Sequence, residues 1–389
     1  MHVRAADCMP VLNLVDRESV LVAVSLERPL LRVHSELLQP RAPKRRVGIR
    51  PQETRDTMLP KCFRSVVLSA IVLAGASLAL AQSAPPLRLD ETIPLPGAKG
   101  RIDHMAFDAR NHRLYVAVLG SDTVDVVDLE SSAFIKTIPG LAEPQGIVYQ
   151  PEKNRVWIAN GRDGSVRIFD AQSFALLRTI DLGNDADNIR RDPATQRIYV
   201  GYGSGGIAVF DSDANKIADI KLDAHPESFQ LEKSGPMLFV NLPGSHKVAV
   251  IDRGKSAVVA KWSTGLDLAN FPMALDEADG RLFVVCRFPA RLLAMDMKSG
   301  AIVAKLPTVG DSDDLFYDPD LKRLYVSGGE GAIAVYQQND RDHYTKLAQI
   351  ETVKGARTSL FVPELHRLFL AVRQEGQTPA AIRVYELGK

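Results

Sequence analysis

Arg113-Leu114-Tyr115-Val116-Ala117 is the phrase that decides the fold, because six variants of it follow along the chain. They are Arg155-Val156-Trp157-Ile158-Ala159, Arg197-Ile198-Tyr199-Val200-Gly201, Met237-Leu238-Phe239-Val240-Asn241, Arg281-Leu282-Phe283-Val284-Val285, Arg323-Leu324-Tyr325-Val326-Ser327 and Arg367-Leu368-Phe369-Leu370-Ala371. Measured between the second residues, the spacings are 42, 42, 40, 44, 42 and 44. The first full unit divides into four β-rich runs, 104–107, 114–118, 124–128 and 134–138, separated by turn residues. Four strands at this period make a propeller blade, and no stretch carries the i, i+3, i+4 pattern that a helical solenoid requires. The expected fold is therefore all-β, a seven-bladed β-propeller of four-stranded blades.

The third strand of most units ends in aspartate, at Asp128, Asp170, Asp211, Asp252 and Asp296. An aspartate there accepts hydrogen bonds from backbone N–H groups two or three residues on and so shapes the turn to the outer strand. The last unit stops after its third strand, 381–386, whereas the run 87–93 ahead of the first unit resembles the other outer strands. The N-terminal strand is thus expected to complete the seventh blade and close the ring.

Composition sets the other bounds. The chain has 389 residues, 46% hydrophobic and 24% charged, with a formal net charge of +1. Residues 1–81 hold 12 of the 48 Lys and Arg and 7 of the 47 Asp and Glu, which leaves the remainder at −4. A mildly acidic body lacks the clustered basic surface that nucleic acid demands. Met58, Lys61 and Arg64 precede an apolar run from Val66 to Leu80 that ends in Ala79-Leu80-Ala81, the order of a secretory signal. An anchoring helix is the alternative, but 15 residues fall short of the roughly 20 that a span needs.

The expected organisation is an N-terminal extension over 1–57, either an over-long start or a disordered segment, a signal peptide over 58–81 and the propeller over 82–389. Cleavage after Ala81 would place the protein in the periplasm or outside the cell with no remaining membrane span. Cys8 and Cys62 lie before that point, so Cys286, in an apolar run, would be the single cysteine of the mature chain.

The loop entering each innermost strand lies over the central channel, and such loops are where a rigid scaffold carries function. Eleven residues before each reference position stand Asp103, Gln145, Asp187, Glu227, Phe271, Asp313 and Arg357; two residues earlier stand Arg101, Glu143, Asp185, His225, Ala269, Asp311 and Gly355. Flanking positions add His104, Asn188, Asn270 and Asp314. The expected site is an acidic channel mouth with a few His and Arg side chains, built to hold a small ligand, a cation or a protein partner. The oxygen donors of Asn184, Asp185, Asp187 and Asn188, and of Asp311, Asp313 and Asp314, suit a hard divalent cation such as Ca²⁺. His104 or His225 with a carboxylate could instead hold one zinc or iron.

The recurring Tyr-Val-Ala phrase, the aspartate closing the third strand and the signal peptide together resemble the YncE-like, YVTN-repeat family of bacterial propellers, over residues 87–389. The resemblance implies a fold similar to the cytochrome d1 and lactonase-type propellers and an exported protein, in a family most of whose members have no established reaction. The chain lacks Cys-x-x-Cys-His, so no covalent haem is expected. Three functions compete: an exported binding or scaffolding propeller; a lactonase-type hydrolase or isomerase acting on a sugar-derived metabolite; and a redox partner with His104 or His225 as an axial ligand. In the second, Asp187 or Glu227 would be the general base and Arg101 or Arg357 would stabilise the oxyanion.

Overall fold

The computed structural model describes residues 85–388. The extension, the signal segment, Cys8, Cys62 and the cleavage point all lie outside the described residues. Every described strand belongs to one of seven four-stranded antiparallel sheets. Blade one runs outward from Met105–Asp108 through Arg113–Val118 and Thr123–Asp128 to Ala133–Ile138. The innermost strands of blades two to six are Pro144–Gln150, Ala186–Arg191, Phe229–Leu231, Leu268–Asp276 and Ser312–Asp318. Blade seven contributes Ser359–Val362, Arg367–Val372 and Ala381–Leu387, and its outer strand is the N-terminal Leu87–Pro94. That strand pairs antiparallel from Leu87 opposite Leu387 to Pro94 opposite Ala381, so the ring closes as the repeat count requires.

The repeated phrase is the second strand of each blade. Both of its faces are apolar because a blade is covered on each side by a neighbour, so no face is left for polar residues. Leu114, Tyr115 and Val116 are fully buried, as are Val156, Trp157 and Ile158. One apolar cluster fills each of the seven blade junctions; the junction of blades seven and one, for example, packs Ile93 and Ile382 against Leu114 and Val116. Two of these large side chains have their polar tips satisfied locally, whereas the Tyr325 hydroxyl is buried without a hydrogen-bond partner among the described residues. Trp157 Nε1 donates to Gln150 Oε1 at 2.9 Å, and Tyr115 Oη reaches the Ala171 carbonyl of the next blade at 3.3 Å. Cys286 is a buried core residue whose thiol is pushed up to about 12 by burial.

The third-strand aspartates act as expected. Asp128 Oδ1 accepts from the N–H and hydroxyl of Ser131, both at 2.7 Å, and Asp296 Oδ1 accepts from the N–H groups of Lys298 and Ser299. These bonds to the charged form hold the Asp296 carboxyl down to about 2. A register shift accompanies the outer pairing in every blade, between Val126 and Val127 in blade one and between Leu89 and Glu91 in blade seven. Such bulges twist the outer strand away from an edge-to-edge approach by another sheet. The glycine-rich stretch 201–206 leads from the second to the third strand of blade three.

Candidate functional site

Two backbone devices assemble the channel mouth. At the loop entering the innermost strand, Glu143, Asp185, Ala269, Asp311 and Gly355 occupy equivalent positions and all have positive φ, between 42° and 78°. Just beyond, the innermost strands of blades two, three, five and six carry a bulge, located between Ala186 and Ile189 in blade three and between Ser312 and Asp314 in blade six. A regular strand sends consecutive side chains to opposite faces; a bulge re-aims one of them. Asp187 with Asn188, and Asp313 with Asp314, can therefore serve the same mouth. Gly146 makes room for the blade-three bulge, since a Cβ there would lie 2.2 Å from the Asp187 carbonyl oxygen.

His104 is the bolt across the channel. Its Nδ1 lies 3.6 Å from Asp314 Oδ1 of blade six, and its Nε2 lies 3.5 Å from the Asn188 amide of blade three and 3.7 Å from Asp103 Oδ1. Neither blade three nor blade six adjoins blade one, so these contacts span the axis. Burial disfavours the charged ring, but Asp314, then Asp103 and Asp187, overcome it and raise His104 to about 10. A charged His104 has donors on both nitrogens, whereas Asn188 presents its NH₂ to Nε2 and leaves its buried Oδ1 without a partner. A half-turn of that amide gives the imidazolium an acceptor and satisfies the orphaned oxygen.

A pH dependence follows. The folded-state pKa of His104 lies above the ordinary value of 6.5, so its stabilisation is complete below 6.5 and disappears as pH rises through about 10. Denaturant titrations at pH 6.5 and 10 should show wild type losing on the order of 2 kcal/mol more than His104→Asn, after discounting for channel water. Equal losses would show that His104 is uncharged in the folded protein.

Beside this bolt stands an arginine–aspartate group. Asp313 meets Arg287 Nη2 at 2.6 Å and Arg357 Nε at 2.8 Å, and Arg357 Nη1 also meets Asp311 at 3.0 Å. Burial penalises the Asp313 carboxylate, yet Arg287, Arg357 and Arg101 hold it down to about 2. Arg287 also stacks its guanidinium 3.7 Å over the Phe271 ring. Arg101 pairs with the buried Asp103 at 2.8 Å, while its Nε is buried without a partner.

The third group joins blades three and four. His225 donates from Nδ1 to the Gly203 carbonyl at 2.6 Å and presents Nε2 to Asp187 Oδ2 at 3.6 Å, with Asp185 Oδ2 3.7 Å from Nδ1. Burial lowers the His225 pKa, but Asp187 and Glu227 together raise it to about 9. Burial, then the Asp187 charge, push Glu227 up to about 8. The loop carrying both residues is seated by Pro226, which packs where Gly201 leaves space; a Cβ on Gly201 would meet Pro226 Cγ at 3.1 Å.

Of the residues expected at the mouth, Arg101, Asp103, His104, Asp185, Asp187, Asn188, His225, Glu227, Asp311, Asp313, Asp314 and Arg357 come together, with Gln145 at the side, 3.5 Å from Asp185. Two do not join them. Glu143 pairs with Arg162 at 3.2 Å beside Asp122, and Asn270 is fully buried, donating to Asn241 Oδ1 and the Lys247 carbonyl.

Two arginines escaped the sequence reading. Arg287 comes from the far end of the second strand of blade five, and Arg190 from the innermost strand of blade three, where it lies 5.8 Å over the Phe229 ring. Neither sits at the loop position that the repeat alignment picks out. With both imidazoles charged and Glu227 protonated at neutral pH, the four arginines and two histidines balance the remaining carboxylates. The mouth is a mixed-charge network rather than the acidic funnel its loop residues suggested.

No family model matches this sequence, and no curated protein matches it. Among solved structures, a chain of the mitotic checkpoint complex is similar, with a TM-score of 0.66 and 14% identity over 84% of this chain and 99% of that one. At that identity the likeness shows the WD40-like propeller fold alone. As 1818 solved chains match, the fold selects no function and the site must argue it.

Proposed function

We propose that this chain is an exported propeller of the YncE-like, YVTN-repeat kind, and that its channel mouth binds a small, oxygen-rich metabolite such as a sugar acid. The observation that carries the reading is the presence of unspent arginine donors within the network. Arg101 Nε is buried with no partner, and Arg190 makes one hydrogen bond, to the Ile189 carbonyl, with no ion pair among the described residues. A buried donor without an acceptor costs about 1–3 kcal/mol, which a ligand carboxylate or hydroxyl would recover. The rigid ring supplies pre-organisation, so little is spent on ordering the site. The runner-up partner is a periplasmic protein docking over the same mouth.

Export rests on the charged, apolar and small-residue order of residues 58–81. Expressed with a C-terminal tag, the protein should fractionate outside the cytoplasm with Gln82 as its first residue. The mature protein should melt higher in the presence of sugar acids or their lactones, and Arg190→Met should abolish the increase. If none of these compounds shifts either protein, a small metabolite is not the ligand and the protein partner takes its place.

A hydrolase reading has one specific observation in its favour. The Glu227 carboxyl, held at about 8 beside His225 and Asp187, is poised for proton transfer near neutral pH. Steady acid release from a lactone, lost in Glu227→Gln, is the result that would establish it.

A further inference from the structure

We propose that Asp187, His225 and Glu227 bind a first-row divalent transition ion, for which zinc is the best fit, at the junction of blades three and four. The three residues offer one ligand atom each, and these atoms all lie within 4.8 Å of one another. A cation bonded at about 2.0–2.2 Å to imidazole and carboxylate atoms needs its ligands roughly 3–4 Å apart, so modest side-chain rotation completes the set.

Three further features of the geometry favour an ion there. His225 Nδ1 donates to the Gly203 carbonyl at 2.6 Å. This bond fixes ring and tautomer and turns Nε2, the ligating atom, toward Asp187, which is how metal-binding histidines are oriented. The separation of Nε2 from Asp187 Oδ2, 3.6 Å, is too long for a hydrogen bond yet suits two ligands on one ion. Glu227, finally, has neither a side-chain hydrogen bond nor an ion pair among the described residues, although its backbone is held by a bond from its N–H to the Asn241 carbonyl at 3.0 Å.

The donor set chooses the metal. One imidazole with two carboxylates suits zinc or a similar transition ion, whereas Ca²⁺ asks for six to eight oxygens. The expectation of a hard cation among Asn184, Asp185, Asp187 and Asn188 therefore gives way to a softer one that recruits residues from two blades. Three protein ligands leave a coordination position open toward the channel. The proposal deepens the reading of the mouth as a ligand site, because a bound ion there would take an oxygen of the same metabolite.

The test uses the exported protein, stripped with a chelator and titrated with zinc chloride alone, then with calcium chloride. Wild type should bind one equivalent of zinc, while Glu227→Gln and His225→Asn should each weaken binding at least tenfold. Cobalt should give visible absorption in wild type that His225→Asn loses. Glu227→Gln preserves shape, so it remains informative if His225→Asn fails to fold. Glu143→Gln, at a residue that pairs with Arg162 away from the mouth, should bind zinc as wild type does. Zinc binding below half an equivalent, calcium in preference to zinc, or binding unaffected by both substitutions would overturn the site. Zinc bound without any metabolite response leaves the metal site standing and removes the metabolite reading; a metabolite response without zinc does the reverse.

Discussion

Deleting residues 85–95 is expected to lower the melting temperature of the propeller by more than about 10 °C. The deletion removes the outer strand of blade seven, whose register with the last strand runs over seven residue pairs from Leu87 to Pro94. It also removes Leu87, Ile93 and Leu95, exposed by only 2%, 1% and 1%, from the junctions of blade seven with its neighbours. At about 2 kcal/mol for each buried aliphatic side chain, the apolar loss alone is of the order of a domain's whole stability margin. The ring would also be left with a bare edge along Ala381–Leu387. Differential scanning calorimetry checks the result, and an unchanged melting temperature would mean that the ring closes some other way.

Asp313→Ala should cost about 3–5 kcal/mol, the usual penalty for removing one partner of a buried ion pair. The carboxylate stands between Arg287 and Arg357 and under the field of Arg101, so its loss leaves three guanidinium groups facing one another. The same residue makes the protein acid-sensitive. Its folded-state pKa, about 2, lies below the ordinary 3.8, so its stabilisation is present above 3.8 and is lost as pH falls toward 2. Urea titrations at pH 7 and pH 3 should therefore show the gap between wild type and variant narrowing in acid. The double variant Asp313→Ala with Arg357→Met should recover part of the loss, since it removes one of the stranded charges. A cost below about 1 kcal/mol at pH 7 would show that the arginines find other partners and that the network is not a rigid unit.

Much of this molecule is legible in one dimension. Tyr115, Trp157, Tyr199 and their counterparts announce the blades because a second strand enclosed by two neighbouring blades has no polar face, and its sequence must say so. Asp128 and Asp296 are legible for a different reason: they bond to backbone two or three residues away, so cause and effect share a short stretch of chain. The closing strand was readable as an arithmetic remainder, one outer strand missing at the end and one spare at the start.

The mouth was only half legible. Its loop residues follow the repeat and can be aligned, but alignment cannot tell that Glu143 turns to Arg162 or that Asn270 is spent on Asn241 and Lys247. Nor does it reveal Arg287 and Arg190, which enter from strand positions that the repeat leaves unmarked. Those two residues turn a net-acidic mouth into a mixed-charge one, and with that they change the expected ligand.

By itself, then, the sequence determined the seven blades, their turns and the place where the ring shuts, because those features depend on periodic burial and on hydrogen bonds between near neighbours. Tertiary structure alone decided what the blades bring together. His104 meets Asp314 and Asn188 across the axis, Asp313 gathers arginines from two other blades, and Asp187 faces His225 and Glu227. Charge interactions of this kind fall off with distance through space and take no account of separation along the chain.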